Sequence, residues 1–480
     1  MIRNVIPTPK KCEFAGGTMS LPFALSCDVP EWKEHVSVLS EACEKLFRSP
    51  FAFCEGGIII KKDKAIPSGA YSIDTRDGAT IAASDSEGML YAMATFIQAA
   101  DVSEGKITVE RALVEDYPDK EYRSLMVDLA REWHPACTVL QYIDLCFILK
   151  IKHLHLHFID NERYTLPSKA FPKLNNADSY TYEEIAKMRE YAKARGIVII
   201  PEFEAPGHAS ILSRCYPEVF ANELNGELEE SKTEYGAVIT DASIICAGKA
   251  SSFDGVKTLL NETAELFPDS PYIHIGGDEA KIAAWNSCPH CKAYMKDKGI
   301  EDVYELYSEY VGRVAREVIS MGKTPIVWEG FPKKGVYYIP KETIVIGWES
   351  LYHMSYDLIE EGFKVINSSW VPMYVVPNPE PRFNWGIPEI IEWNIYNWQH
   401  WYERSAAYNN PINVAPTEQV IGATLCLWEC TFEEEISRGI NNLTAMSERV
   451  WNVDKHWTVQ DFCNLARHTV HRVARFIQSV

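Results

Sequence analysis

The stretch Tyr272-Ile-His-Ile-Gly-Gly-Asp-Glu-Ala280 joins a short apolar strand to two adjacent carboxylates. Ile273 and Ile275 have the alternating spacing of a buried strand, and two glycines then interrupt it. Neighbouring side chains on an extended backbone point in opposite directions, so Asp278 and Glu279 can reach one ligand only if the glycines bend the chain. For an isolated Asp-Glu pair, a solvated acidic turn is the commoner outcome. The surrounding sequence has to decide between the two interpretations.

The same strand belongs to a repeating pattern of strand, polar turn and helix that begins near residue 120. The predicted strands are Tyr122–Leu129, His153–Ile159, Ile197–Phe203, Tyr272–Ile275, Thr324–Trp328, Thr343–Trp348, Lys364–Asn367 and Val420–Trp428. Eight strands with intervening amphipathic helices fit a (β/α)8 barrel with insertions. A doubly wound open sheet is the alternative, but no glycine-rich nucleotide fingerprint follows the first strand. The sequence therefore favours an α/β fold of the TIM-barrel type.

A separate unit precedes this pattern. Residues 1–115 contain strand-like segments, a hairpin around Arg76-Asp-Gly78 and a helical stretch from Gly88 to Gln98, which together predict a small α+β domain. We see no cluster of catalytic residue types in it, and we expect it to support the larger unit. Residues 116–480 are predicted to form the catalytic barrel, closed by an amphipathic C-terminal helix.

Barrel active sites lie at the C-terminal ends of the strands, so the residues at those ends test the assignment. Acids, indoles and an arginine recur there: Asp128, Arg131, Asp160, Glu204, His208, Asp278, Glu279, Trp328, Glu329, Trp348, Glu349, Trp370, Tyr374, Trp428 and Glu429. Random surface composition does not place carboxylates and tryptophans at one end of strand after strand. Indoles stack on apolar sugar faces while carboxylates and Arg bind hydroxyls, so the pattern indicates a sugar pocket.

Composition limits the partners and the compartment. A net charge of -20 over 480 residues argues against nucleic acid or an anionic membrane as partner. No apolar run approaches the roughly 18 residues of a membrane span. The start, Met1–Pro7, lacks an apolar signal-peptide core, and the 13 Cys are scattered, so we expect a cytoplasmic protein with free thiols. The sequence is compatible with a homodimer but does not determine the oligomeric state.

Two motifs suggest metals at first sight. His153, His155 and His157 alternate on one strand, but ligands spread over roughly 13 Å cannot share one ion, so a structural role is favoured. Cys288-Pro-His-Cys291 has zinc-knuckle spacing, yet no second Cys or His pair follows nearby. A local turn with free thiols is the favoured interpretation. No metal or other cofactor is expected.

Four stretches, taken in order, resemble glycoside hydrolase family 20, the exo-acting β-N-acetylhexosaminidases. They are Tyr122–Arg131, His153–His157 with Asp160, Ile199–His208, and His274–Glu279. The first 115 residues are also similar to the α+β domain that precedes the barrel in that family, so the resemblance covers nearly the whole chain. It implies hydrolysis of terminal β-linked GlcNAc or GalNAc from a glycan, by a retaining mechanism in which the substrate's 2-acetamido oxygen attacks the anomeric carbon.

The resemblance also implies roles for individual residues. Glu279 would be the general acid and base, Asp278 would hold the acetamido N–H, and Tyr374 would bind the acetamido oxygen. Asp160, Glu204 and His208 would support Glu279. The remaining substrate-binding residues would be Trp328, Trp348 and Trp398 around the acetamide methyl, Trp428 beneath the sugar, Arg131 at the 3- and 4-hydroxyls, and Glu429 at the 4- or 6-hydroxyl.

The chain departs from the family pattern at several positions. Asn161 follows Asp160 where a second Asp is usual, and Glu204 stands where Asp is more frequent. Val376 occupies the position where many members have an acid or amide for the 6-hydroxyl. Glu429 follows Trp428 directly instead of two residues later. These departures leave the catalytic pair intact but alter the expected recognition of the 6-position.

Two other functions fit parts of the pattern. One is a sugar-binding protein on the same scaffold that has lost turnover, which the joint presence of Asp278, Glu279 and Tyr374 opposes. The other is a retaining glycosidase that uses a carboxylate nucleophile on sugars lacking the acetamide. For Arg131, a buried ion pair with Asp128 or Glu132 is the alternative to hydroxyl binding.

Overall fold

The computed structural model describes residues 2–54, 56–224, 231–232, 238–239, 244–377 and 384–478. The N-terminal part forms one mixed sheet in the order β1-β8-β5-β6-β4-β2-β3, with β7 beside β8. Its strands are β1 (Lys11–Leu21), β2 (Ala24–Cys27), β3 (Ala52–Phe53), β4 (Ile58–Lys62), β5 (Tyr71–Asp74), β6 (Ala79–Ala83), β7 (Asp101–Ser103) and β8 (Lys106–Asp116). Helices α1 (Lys33–Phe47) and α2 (Ser86–Ala99) accompany this sheet.

The remaining strands build the barrel and its rim. They are β9 (Tyr122–Asp128), β10 (His153–His157), β11 (Val198–Glu202), β12 (Ser231–Lys232), β13 (Val238–Ile239), β14 (Tyr272–His274), β15 (Thr324–Trp328), β16 (Ile344–Gly347), β17 (Lys364–Asn367), β18 (Tyr374–Val375), β19 (Asn397–Trp398), β20 (Ile412–Asn413) and β21 (Val420–Leu427). Parallel pairing runs β17-β16-β15-β14-β11-β10-β9-β21, and β21 pairs with β17 to close the ring. All eight predicted barrel strands are confirmed within two residues at each end.

Helices connect the strands and cover the outside of the ring. They are α3 (Ala136–Ile148), α4 (Tyr182–Ala194), α5 (Ser210–Cys215), α6 (Pro217–Phe220), α7 (Ala250–Leu266), α8 (Pro289–Lys298), α9 (Val303–Ser320), α10 (Ser355–Glu360), α11 (Trp370–Met373), α12 (Ile387–Glu392), α13 (Phe432–Glu434), α14 (Ile440–Trp451) and α15 (Val459–Gln478). The closing amphipathic helix corresponds to α15, which packs on α14 and α3. No helix in the described ranges has the length and apolar character to cross a membrane.

The barrel strands are buried on both faces. Every residue of β9, β10 and β21 is buried. This explains why β21 is a nearly continuous apolar run, and the polar residues of β9 and β10, such as Arg123 and His155, have hydrogen-bond partners inside the protein. The side chains facing the barrel axis form their own apolar cluster, which includes Met126, Ile200, Ile326, Ile346 and Ile366. This packed interior closes the barrel below its C-terminal rim.

The small sheet and the barrel share a buried polar contact. Lys150 Nζ lies 3.1 Å from Asp116 Oδ2 and 2.8 Å from the Tyr71 hydroxyl, and it sits over the Trp451 ring. The Trp451 indole N–H donates to Asp116 Oδ1 at 2.9 Å. Burial lowers the pKa of Lys150. The predicted division between residues 115 and 116 falls one residue before the end of β8.

Candidate active site

The C-terminal ends of the barrel strands meet around a cavity of about 250 Å³. Such a volume lies at the small end of ligand pockets and suits one sugar ring better than a length of chain. Its lining consists of Arg131, His208, Asp278, Glu279, Trp328, Trp348, Trp370, Tyr374, Val376, Trp428 and Glu429. The side chains come from strand ends, loops and short elements that are distant in sequence, so the pocket exists only when the barrel is closed.

The two glycines before the acids make the bend that the sequence requires. Gly276 has φ +66° and Gly277 has φ +92°, both in the left-handed region that favours glycine. A Cβ on Gly276 would also lie 1.7 Å from Glu204 Oε2. Glu279 itself has φ +42°, a strained value for a residue with a side chain. As a result, the Asp278 and Glu279 carboxylates both turn toward one imidazole.

That imidazole belongs to His208, which stands between three acids. Its Nε2 lies 3.3 Å from Glu279 Oε2 and 3.7 Å from Asp278 Oδ2. Its Nδ1 lies 3.1 Å from Asp160 Oδ2. Burial opposes protonation, but the charges of Asp160 and Asp278 outweigh it and raise the pKa of His208 well above its usual value. Asp160, His208 and Glu279 therefore form a continuous line of charge-assisted contacts.

The two catalytic candidates have different environments. Asp278 is only 9% exposed, and its Oδ1 has no hydrogen-bond partner among the described residues. Burial, together with the neighbouring charge of Glu279, raises the pKa of Asp278 to about 6. The Glu279 side chain is 49% exposed, and the hydrogen bond from His208 lowers its pKa. Burial and the charge of Asp278 raise the pKa of Glu204 well above its usual value.

Aromatic rings form one wall of the pocket. Tyr374 lies between Trp348 and Trp370, stacked at centroid distances of 6.0 Å and 5.1 Å. Trp370 was placed at a strand end by the sequence but was given no role. The structure does not bring Trp398, which was expected in this wall, to the cavity: its indole is fully buried and donates to the Gly347 carbonyl at 3.0 Å. Trp398 supports the chain that leads into Trp348 without reaching the cavity.

Below the pocket, a buried carboxylate organises the barrel interior. Glu202 contacts His155, His157 and His274 at 3.0, 2.6 and 2.9 Å, respectively. It also accepts a hydrogen bond from the indole of Trp328 at 2.6 Å. Sequence reasoning gave Glu202 no role, although an acid in a strand otherwise made of Val, Ile and Pro was a usable signal. The alternating histidines on β10 thus serve the interior, with His153 stacked on Tyr122.

The opposite wall combines a cation and an indole. Arg131 pairs with Asp160 at 2.6 Å and with Asp128 at 3.1 Å, so it makes the buried ion pair and also lines the pocket. Its guanidinium lies over the Trp428 ring, 5.2 Å from the centroid, and its Nε is 3.4 Å from Glu429 Oε1. This arrangement presents a fixed set of donors and acceptors beside an apolar ring face.

Several groups of acids, histidines and cysteines are close enough to hold a metal ion. Within the described residues they are His155 with Glu202 and His274, His157 with Glu202 and Glu204, His208 with Asp278 and Glu279, and Cys246 with Cys288 and Cys291. In the barrel interior, Glu202 bonds the histidines directly, and His208 bonds Glu279.

Comparisons with known proteins give a consistent result. The model of the glycosyl hydrolase family 20 catalytic domain matches residues 121–454, and the model of that family's domain 2 matches residues 3–117. Beta-hexosaminidase subunit beta of Entamoeba histolytica is 26% identical over 400 residues, covering 80% of this chain and 69% of the relative. The subunit beta of Mus musculus is 28% identical over 419 residues, covering 81% and 70%.

Solved structures share the fold over almost the whole chain. The exo beta-N-acetylglucosaminidase of Vibrio harveyi, solved with N-acetylglucosamine, superposes with a TM-score of 0.82 at 22% identity, covering 99% of this chain and 78% of that one. The beta-N-acetylhexosaminidase of Bacteroides fragilis superposes with a TM-score of 0.78 at 23% identity, covering 98% and 96%.

Proposed function

The chain belongs to glycosyl hydrolase family 20, and from that premise we propose that Asp278, Glu279 and Tyr374 remove terminal β-linked GlcNAc or GalNAc from glycans. The enzyme is a glycosidase of the exo-β-N-acetylhexosaminidase type. One observation supports this assignment of roles: Asp278 Oδ1 is buried in the pocket and has no hydrogen-bond partner among the described residues. The pocket has room for one sugar. An acetamido N–H is the donor that this oxygen would accept.

In the first step, the acetamido oxygen attacks the anomeric carbon while the bond from that carbon to the leaving oxygen breaks. Glu279 gives its proton to the leaving oxygen, and the ring closes to an oxazolinium ion. Asp278 holds the N–H and stabilises the positive charge that develops there, and Tyr374 would donate to the acetamido oxygen. Trp328 and Trp348 enclose the methyl group.

In the second step, water attacks the anomeric carbon from the face that the leaving group vacated. Glu279 takes the proton from this water, and the bond to the acetamido oxygen breaks, so the sugar leaves with its β configuration. The contact with His208 lowers the pKa of Glu279 and therefore keeps it in the carboxylate form that this step requires. The acid role requires the less populated protonated form, because the same contact favours the carboxylate.

Binding of the sugar would use the remaining lining residues. Trp428 offers an apolar ring face beneath the pyranose, while Arg131 and Glu429 lie where hydroxyls would be bound. Trp370, stacked on Tyr374, extends the aromatic wall. Asp160 supports His208, and His208 in turn positions Glu279.

A comparison of aryl glycosides tests the proposal. The 2-acetamido-2-deoxy-β-glucoside should be hydrolysed, whereas the plain β-glucoside, which lacks the nucleophilic oxygen, should not. Equal hydrolysis of both would indicate a carboxylate nucleophile instead. Binding of the acetamido sugar with no hydrolysis of either would indicate a sugar-binding protein.

We propose two further properties. A cytoplasmic location is supported by the 13 Cys, none of which forms a disulfide, and cell fractionation tests it. Assembly as a homodimer stays a prediction that light scattering of the purified protein tests.

A further inference from the structure

Three buried thiols meet beside the chain that leaves the catalytic pair. The Sγ of Cys246 lies 3.6 Å from that of Cys288 and 3.7 Å from that of Cys291. The three sulfur atoms all lie within 4.8 Å of one another, and each residue is fully buried. We refer to Cys246, Cys288 and Cys291 as the thiol cluster.

We propose that the thiol cluster binds a zinc ion that fastens the loop around Cys246 to the start of α8. Zinc–sulfur bonds of about 2.3 Å in a tetrahedral site place the sulfur ligands roughly 3.8 Å apart. Two of the three sulfur–sulfur separations, 3.6 Å and 3.7 Å, are close to that edge length, and the third pair lies within 4.8 Å, so the three atoms are spaced like the ligands on one face of such a tetrahedron. Thiolates select zinc over the oxygen-seeking ions Mg²⁺ and Ca²⁺.

The third ligand explains why the motif looked incomplete in the sequence. Cys288-Pro-His-Cys291 has the spacing of a zinc knuckle, but no second pair follows it nearby. The fold brings Cys246 to it from 42 residues upstream. Contacts of this kind depend on tertiary structure and leave no local pattern.

The neighbouring polar groups suit a metal centre. Asn222 Oδ1 is 3.7 Å from Cys291 Sγ, while the amide nitrogen of the same side chain donates to the Ile244 carbonyl at 2.6 Å. This hydrogen bond fixes the amide with its oxygen toward Cys291, and this oxygen would take the fourth position on the ion. The intervening His290 points elsewhere, with its Nε2 3.0 Å from Glu223 Oε1.

The backbone around the thiol cluster is held at close range. A Cβ on Gly248 would lie 2.3 Å from the His290 carbonyl oxygen, so only glycine lets the two segments approach. The same Cβ would lie 2.6 Å from the Cys291 Cα, so the two segments that carry the thiols are in direct backbone contact.

The position of the thiol cluster indicates a structural role for the ion. The Ile245 N–H donates to the Pro206 carbonyl, two residues before His208, at 3.1 Å. The Trp285 indole, six residues after Glu279, donates to the Ile245 carbonyl at 3.0 Å. The ion would therefore link the chain that carries His208 to the chain that carries Glu279, and the cysteines would act as positioning residues.

A disulfide is the competing arrangement. Three thiols can form one disulfide, which leaves the third unpaired in a buried site, and it would draw two sulfurs to about 2 Å. An ion satisfies all three thiols at separations close to those observed. We therefore assign the thiol cluster to a metal and treat the disulfide as an outcome that overturns the assignment.

Elemental analysis of the purified full chain tests the proposal independently of enzyme activity. Protein prepared without chelator should contain one zinc per chain, and X-ray absorption at the zinc edge should show three sulfur ligands and one lighter atom. Cys288→Ser should lose the zinc. Cys146→Ser should retain it, because Cys146 is an equally buried thiol outside the cluster.

A second experiment can overturn the proposal. The protein is dialysed against zinc chloride, and its thiols are then titrated in denaturant. Chains that retain no zinc and still titrate 13 thiols would show three neutral thiols in contact and would overturn the proposal. Two fewer thiols than 13 would show a disulfide and overturn it equally. Both measurements use the wild-type chain, so they remain informative if Cys288→Ser does not fold.

Discussion

The indole N–H of Trp328 donates to Glu202 Oε1 at 2.6 Å, so a carboxylate in the barrel interior holds part of the sugar pocket in place. The same carboxylate contacts three histidines. Burial opposes the charge on His157, but Glu202 and Asp160 outweigh it and raise the pKa of His157 to about 10. The floor of the pocket is thus tied to a buried ionic cluster.

Replacing Glu202 with Gln should therefore damage both stability and activity. Breaking a buried, hydrogen-bonded charge pair costs about 3–5 kcal/mol, because the partner charge is left uncompensated. Urea denaturation should show this loss of unfolding free energy. The exposed Glu190→Gln is the matched control and should change stability little. A Glu202→Gln protein as stable as the wild type would refute the structural role.

Substitutions of Asp278 and Glu279 should have different effects on kcat/KM when the leaving group is varied. Glu279→Gln should lower kcat/KM by about 10²–10⁴-fold for poor leaving groups and much less for good ones, because only poor leaving groups need the proton. Asp278→Asn should lower it by about 10²–10³-fold for both, because it stabilises the charge of the ring closure itself. A series of aryl 2-acetamido-glycosides provides the measurement.

Azide adds a stereochemical check to the same series. With Glu279→Gln and azide, the glycosyl azide should retain the β configuration, since azide opens the oxazolinium ion from the vacated face. An α-azide would identify Glu279 as the nucleophile. Equal losses for the two variants across all leaving groups would refute the division of labour.

The pH profile should depend on the leaving group. Burial and the charge of Glu279 raise the pKa of Asp278 to about 6, and Asp278 must be ionised to stabilise the acetamide. For good leaving groups, kcat/KM should therefore fall as the pH drops through about 6. Poor leaving groups also need protonated Glu279, whose pKa is lowered, so their optimum should lie at lower pH.

Glu279→Gln is the internal control for this assignment. It removes the negative charge that raises the pKa of Asp278, so the acid limb for good leaving groups should move to lower pH. If the acid limb of the kcat/KM profile stays in place or moves to higher pH, the titration of a group other than Asp278 causes the fall in rate. Steady-state rates across the acid range decide the matter.

Val376 should make the enzyme indifferent to the 6-hydroxyl. Its side chain lines the pocket and offers no hydrogen bond. The 6-deoxy substrate should be hydrolysed with nearly the same kcat/KM as the parent sugar. Val376→Asn should favour the parent sugar by up to about tenfold, the value of one net hydrogen bond. Strong wild-type discrimination against the 6-deoxy sugar would show that another residue binds this hydroxyl.

Breaking the Lys150–Asp116 contact between the small sheet and the barrel should lower the free energy of unfolding. Lys150→Met keeps the volume but leaves the buried Asp116 without its cation, and we expect a loss of about 3–5 kcal/mol of unfolding free energy. Lys11→Met, which removes a half-exposed pair with Glu115, is the control and should have little effect. Similar results for both variants would contradict the importance of burial.

The order of elements was accessible from the sequence because it depends on local spacing. The strand Thr324–Trp328, for example, was predicted with its observed ends. The acids and indoles at strand ends followed from the rule that barrel sites lie at the C-terminal rim. The bend at Gly276 was also implied, since two adjacent acids cannot otherwise face one ligand.

The features that the sequence did not predict have a common cause. Trp398 and Trp370 are both aromatic residues beyond the seventh barrel strand, and only the packing of that region shows that one is buried and the other lines the pocket. Cys246 lies far upstream of the two cysteines it meets. Such contacts depend on how the loops pack over the rim, and residue type and spacing do not predict this packing.

The packed barrel interior has a consequence for how the enzyme moves along a glycan. Trp328 and Glu202 close the bottom of the pocket, and apolar side chains fill the barrel below them. A polymer cannot thread through such a blind opening, and the released monosaccharide must leave by the route through which the chain end entered. The shortened glycan must dissociate and bind again after every cleavage, so we expect degradation to be distributive, not processive.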